Sequence, residues 1–271
     1  GDEGAAVVDR RRVAGGRDGG ESLGLGRSVS VCLPEWSPGG QLHWCDDADG
    51  WWHLRSSSSP RLPSLGSRDY PDLPVLGGGD VGDDVGEPRW VAGGHRYAFC
   101  GDGRLVLAVS SGGIDSVWLL DPTTGQRCAP PGPRFSSVEY VATLDDHVVI
   151  VGADATRPSS VWLLDLAAEP DHDDAAVDLR PVDAPLDPGW VSVPTAITFG
   201  TGPSALSDHV PAGDPAHGDA AHALLYLPVS GDHEAPAGEV PPLVVRIHGG
   251  PTAAARPEFS PSVQFWTTRG F

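Results

Sequence analysis

The chain has 271 residues, a length that fits about two domains and a sizeable core. Acidic residues outnumber basic ones, 37 to 18, and the resulting formal charge of −19 argues against binding to a nucleic-acid backbone. With 36 Gly, 27 Pro and 9 Trp, the composition is that of a loop-rich, strand-rich globular protein with large side chains to bury.

Internal repeats organise the first part of the chain. Pro34–Gly40 reads PEWSPGG, and its Pro, Trp, Gly and Gly return 54 residues later in PRWVAGG, Pro88–Gly94. Tyr97–Asp121 aligns with Tyr140–Asp165, the two sharing VWLLD at an offset of 44. Inside each unit, short apolar runs such as Arg104–Val109, Val117–Leu120 and His147–Val151 alternate with Gly, Asp and Pro turns and predict strands. A repeat of about 40 to 55 residues holding several antiparallel strands is the pattern of a β-propeller blade. About three blades are predicted between residues 20 and 185, too few to close a ring of 4 to 8. Trp36, Trp44, Trp51, Trp52, Trp90, Trp118 and Trp162 recur within these units and are predicted to fill the space between stacked sheets. Ser56–Gly86 reads as an excursion between blades. Cys32, Cys45, Cys100 and Cys128 form no C-x-x-C pair and are expected to be buried thiols.

After Asp165 the sequence turns acidic, Pro-rich and aperiodic, which predicts a linker. Its Asp171, His172, Asp173 and Asp174 read as solvated charge, since adjacent residues of one loop rarely converge on an ion. His209, His217, His222 and His233 lie among Gly, Asp and Pro without helical spacing, so no metal and no cofactor is expected. From Trp190 onward, VSVPTAITFG and AHALLYLPV predict two strands joined by a polar loop. The fold expected is therefore a partial, all-β propeller over 1–186, followed from 187 to 271 by a second domain.

Pro241–Phe271 carries the chemistry. Leu243–Ile247 is an apolar run interrupted only by Arg246 and predicts a strand buried on both faces; it ends in His248-Gly249-Gly250-Pro251. Paired glycines after a core strand allow backbone N–H groups to face a cleft, where they can hold an oxyanion. One oxyanion donor of α/β-hydrolases comes from a loop in this position. The following SPSVQFWTTRG predicts a helix stopped by Gly270.

The run HGGP…QFWTTRGF resembles the prolyl oligopeptidase family of serine peptidases, most closely its dipeptidyl aminopeptidase/acylaminoacyl-peptidase-like branch, and PEWSPGG and DGWWHL resemble its blades. The resemblance covers roughly residues 20 to 271. It implies a propeller over an α/β-hydrolase domain, of which 187–271 would be the N-terminal part. It further implies a Ser-His-Asp triad that cleaves short or N-acylated peptides. On the motif match, Gly249 and Gly250 are the oxyanion-loop residues, with His248 and Pro251 supporting the loop. No G-x-S-x-G frame follows this loop. The catalytic residues are therefore expected downstream of Phe271, and this chain alone is expected to be inactive. The partner expected is a peptide, with no nucleic acid and no membrane; a homo-oligomer of the full-length protein is left open. A standalone propeller-like binding module and an esterase of the same fold are the alternatives.

Lys, Asn and Met are absent, and all 18 basic residues are Arg, as in a GC-rich bacterial genome. No apolar run approaches the roughly 18 residues of a membrane span. A cytoplasmic protein is expected, with secretion left open because the N-terminus reads as cut.

Overall fold

The structure, a computed structural model, describes residues 16–17, 28–57, 75–76, 82–87, 93–168, 175–182, 186–200, 220–250 and 253–271. A short ladder of β1 (Gly16–Arg17) and β2 (Ser28–Val29) precedes three antiparallel sheets. The first consists of β3 (Val31–Trp36), β4 (Leu42–Asp46), β5 (His53–Ser56) and β6 (Val75–Leu76), paired in sequence order. The second is built on β9 (Leu105–Ser111). β10 (Ile114–Leu120) and then β11 (Arg127–Cys128) lie to one side of it; β7 (Asp83–Asp84) and β8 (Tyr97–Phe99) share its other edge. The third runs β12 (Ser137–Leu144), β13 (His147–Ala153), β14 (Ser160–Asp165) and β15 (Ala176–Asp178), again in sequence order. These are the blades that the repeats predict, and the two VWLLD copies fall in β10 and β14, equivalent strands of neighbouring sheets.

The sheets are joined by alternation along the central strand. Leu105, Leu107 and Val109 of β9 pack with Cys45 and Leu54 of the first blade. Val106 and Ala108, on the opposite face, pack with Val138, Val141, Val148 and Ile150 of the third. Because successive side chains of a strand point to opposite faces, one seven-residue strand supplies both interfaces and is buried throughout its first five residues. Tryptophans contribute as predicted at Trp44, which is buried, and at Trp52, Trp118 and Trp162, which pack at the margins of the cores. Trp36 and Trp51 are exposed instead, and Trp90 lies outside the described residues.

Two stretches expected as connections supply strands. The excursion Ser56–Gly86 contains β6 and β7, and the acidic linker contains β15, whose Ala176, Val177 and Asp178 pair with Leu164, Leu163 and Trp162. Elements of two or three residues have no measurable periodicity; a neighbouring ladder recruits them.

Polar groups at one end of the blades are bound as tightly as the cores. Asp115, at the start of β10, accepts from both terminal nitrogens of Arg96 at 3.0 and 3.1 Å and from the Val138 amide at 2.7 Å. Arg96 also donates to the carbonyls of Val85 and Val138. Both side chains are buried, and a charge pair survives there because nearly every donor and acceptor is used.

Beyond the third blade, a short 3-10 turn at Pro188–Trp190 leads to β16 (Thr195–Gly200), which pairs antiparallel with β17 (Ala220–Leu225). This is the predicted strand pair. The chain ends in helix α1 (Pro261–Thr267).

Candidate functional site

The predicted strand over Leu243–Ile247 is not formed. Among the described residues no strand pairs with it, and Val245 is 70% and Ile247 86% exposed. A Leu- and Val-rich run becomes a buried strand only beside neighbours that take up its N–H and C=O groups, and the described strands supply none. Arg246, the interruption in that run, donates to Ser262 Oγ of α1 at 2.8 Å and fixes the segment to the helix instead.

At the end of the segment, Gly250 has φ +71°, a conformation that favours glycine, and nothing stands within 4 Å of where a Cβ on Gly249 or Gly250 would lie. No carbonyl of the described residues accepts from either amide. Both N–H groups are thus without a hydrogen-bond partner among the described residues. His248 has no hydrogen-bond partner among the described residues, and Pro251 lies outside them.

The chain beyond the glycines is pinned to the blades, a contact that the sequence reading missed. Arg256 donates to Glu87 Oε2 at 3.1 Å and to Asp115 Oδ2 at 3.4 Å. The Pro257 carbonyl accepts from Ser136 Oγ at 2.5 Å, Glu258 accepts from Ser137 Oγ at 3.3 Å, and the Phe259 amide donates to the Asp154 carbonyl at 2.8 Å. Phe259 is buried at this junction. Residues 256–259 therefore meet the blade ends that hold the Arg96–Asp115 pair. Burial pushes the Tyr226 hydroxyl above its ordinary range, and the Glu258 carboxylate adds to that shift while Arg246 opposes it.

Helix α1 is anchored by a polar residue. Gln264 is 2% exposed; its Oε1 accepts from the Ser192 amide at 2.8 Å and its Nε2 donates to the Ser192 carbonyl at 3.0 Å. Ser192 Oγ in turn donates to the Leu227 carbonyl, and the Thr267 carbonyl accepts from the Val229 amide, so the helix is tied to both chain segments flanking the β16–β17 pair. Phe265 and Trp266 face outward. Gly270 ends the helix as predicted: it has φ +85°, its amide donates to the Thr267 carbonyl, and the Phe271 amide donates to the Trp266 carbonyl, the two bonds of a Schellman stop.

Of the histidines read as solvated, His222 contacts Thr198 Oγ1 at 2.9 Å and His233 contacts Ser230 Oγ at 3.5 Å; His209, His217 and Asp171–Asp174 lie outside the described residues. Among the described residues no group of three or more His, Cys, Asp or Glu is placed to hold a metal, and no helix is long and apolar enough to cross a membrane. One literal G-x-S-x-G does occur, Gly20-Glu21-Ser22-Leu23-Gly24, ahead of the blades rather than after the glycine loop, and it lies outside the described residues.

No protein-family model and no curated protein matches the sequence. Solved structures do match. Puromycin hydrolase superposes with a TM-score of 0.70 at 26% identity, over 91% of this chain and 33% of that one. A puromycin-hydrolyzing peptidase of Mycobacterium tuberculosis gives 0.70 at 24% identity, over 90% and 34%. A serine-to-alanine mutant of puromycin hydrolase complexed with PGG gives 0.69 at 25%, over 90% and 33%. The structural neighbours are puromycin-hydrolysing peptidases. They are acylaminoacyl-peptidase-like proteins of the prolyl oligopeptidase family, the family that HGGP…QFWTTRGF resembles. The chain spans about a third of the length of these peptidases.

Proposed function

We propose that this chain is the blade-bearing and oxyanion-loop portion of a serine-type peptidase acting on short or N-acylated peptides. Residues 1–186 form part of the propeller, and 187–271 begin the α/β-hydrolase domain. Gly249 and Gly250 present their amides to the oxyanion of the tetrahedral intermediate. His248 and Pro251 shape the loop, and the nucleophile, its base and the orienting aspartate come from sequence following Phe271. The observation that carries this reading is the pair of uncapped glycine amides, one at positive φ, in a chain that superposes over 91% of its length on puromycin hydrolase.

Donors fixed in advance toward a developing negative charge lower the barrier without rearranging during the reaction, and one such donor is worth about 2.7 to 4 kcal/mol. Without a nucleophile they hydrolyse nothing. The test compares this chain with a version extended through its downstream reading frame, using an N-acyl-peptide anilide and a fluorophosphonate label for reactive serines. Only the extended protein is expected to take the label and turn over the anilide. Labelling of the short chain, or an extended protein that turns over simple esters but no peptide, would overturn the reading.

A further inference from the structure

The first blade places two cysteines where the sequence suggests only inert thiols. Cys32 on β3 and Cys45 on β4 stand directly opposite one another in the antiparallel register. Opposed residues have Cα atoms about 4.5 to 5.5 Å apart, within the span of a disulfide. Their side chains converge: a Cβ built on Gly86 would stand 2.7 Å from Cys45 Cβ and 3.1 Å from Cys32 Sγ. The four cysteines form no disulfide in this structure.

We propose that Cys32 and Cys45 are a redox-reversible modification site that closes to a cross-strand disulfide on exchange with small-molecule disulfides of the glutathione class. Burial orders the steps. Cys45 is fully buried and Cys32 only partly. The Cys32 thiolate therefore attacks one sulfur of the reagent, whose S–S bond breaks and releases one reagent thiolate. The Cys45 thiolate then attacks Cys32 Sγ, forming the protein S–S bond and expelling the second reagent thiolate. The two protons lost from the cysteines balance the two reagent thiols formed, and both electrons end on the reagent. Burial and the adjacent Cys32 hold the Cys45 thiol well above its ordinary range, which favours Cys32 as the point of entry.

The position gives closure a structural effect. The β3–β4 register is irregular just after the Cys32–Cys45 pair, where Leu33 takes φ +54°, and Tyr97 Oη of the second blade donates to the Leu33 carbonyl at 2.6 Å. A covalent bond at that pair would fix the last regular step before the irregularity, and with it the docking of β3 on the next blade.

The test treats the folded chain with oxidised glutathione, followed by acid quench, alkylation and peptide mapping. The expected product has lost two hydrogens at this pair, read on a linked Cys32–Cys45 peptide that dithiothreitol reverses, with a melting midpoint several degrees higher. Exposed Cys128 should carry a glutathione adduct, showing that the reagent was active. C45A should stop at a glutathione adduct on Cys32, and C32A should leave Cys45 unmodified. The proposal fails if Cys128 reacts while Cys32 and Cys45 of the unsubstituted chain both remain alkylatable, or if the link maps to another pair. Because the mapping needs no substitution, a poorly folding variant does not blunt the test.

Discussion

Asp115 joins three parts of the chain through one carboxylate, receiving Arg96, the Val138 amide and Arg256. The two arginines differ in burial, and that difference sets what each is worth. Removing Asp115 strands the buried Arg96 guanidinium, and D115A is expected to lower unfolding free energy by about 3 to 5 kcal/mol in urea titrations. R256A removes a partly solvated partner and should cost no more than about 1 kcal/mol, while increasing amide exchange across residues 256–259. Gln264 is the equivalent case in the second part of the chain: Q264A leaves the Ser192 N–H and C=O buried without partners, for about 1 to 3 kcal/mol. Acid sensitivity also belongs to single residues. Hydrogen bonds from Arg104 hold the Asp102 carboxyl below its ordinary range, and at Asp154 bonds from Thr156 and Arg157 outweigh the opposing effect of burial. Carboxyls depressed by folding contribute fully above about pH 4 and lose that contribution as pH falls through their folded values. D102N is therefore expected to lower stability at neutral pH and to converge with the unsubstituted chain as pH falls, which flattens the acid limb of its stability profile. The partners of Asp115 and Gln264 were not legible in the sequence, because residues 19, 72 or 141 positions apart are brought together only by folding.

The blades were legible because they repeat. VWLLD and the turns between apolar runs predict β9, β13 and β14 nearly to their ends and the second half of β10, whereas β6, β7 and β15 are too short to show a pattern of their own. Leu243–Ile247 misled for the opposite reason: its composition is that of a core strand, but a strand is a property of two segments and the described ladders offer it no second one. β9 is the element on which most depends. Leu107→Ala would open a cavity between the first and second blades and is expected to cost about 2 to 5 kcal/mol. Because the same strand carries the other interface on its alternate residues, melting followed at Trp44 and at Trp162 should shift together. Separate transitions would show that the sheets unfold one by one, as in an open array.

At the scale of the whole molecule, a strongly acidic chain carries an apolar ribbon, Val240–Ile247, that no described element covers. Unpaired backbone next to exposed valines is a template for self-association. Ile247→Lys is expected to reduce both dye binding and concentration-dependent light scattering without altering the blades. The glycine pair at the end of that ribbon stands out in the sequence; the contacts of Arg246 and Arg256 on either side of it do not. Arg246 grips the helix and Arg256, ten positions on, grips the blade ends, while nothing among the described residues stands where a Cβ on Gly249 or Gly250 would lie. A span fixed only at its supports has its slack set by length. Inserting alanines beside Ala253 should therefore slacken the glycine turn, read as lower backbone order parameters at Gly249 and Gly250 with both anchorages intact.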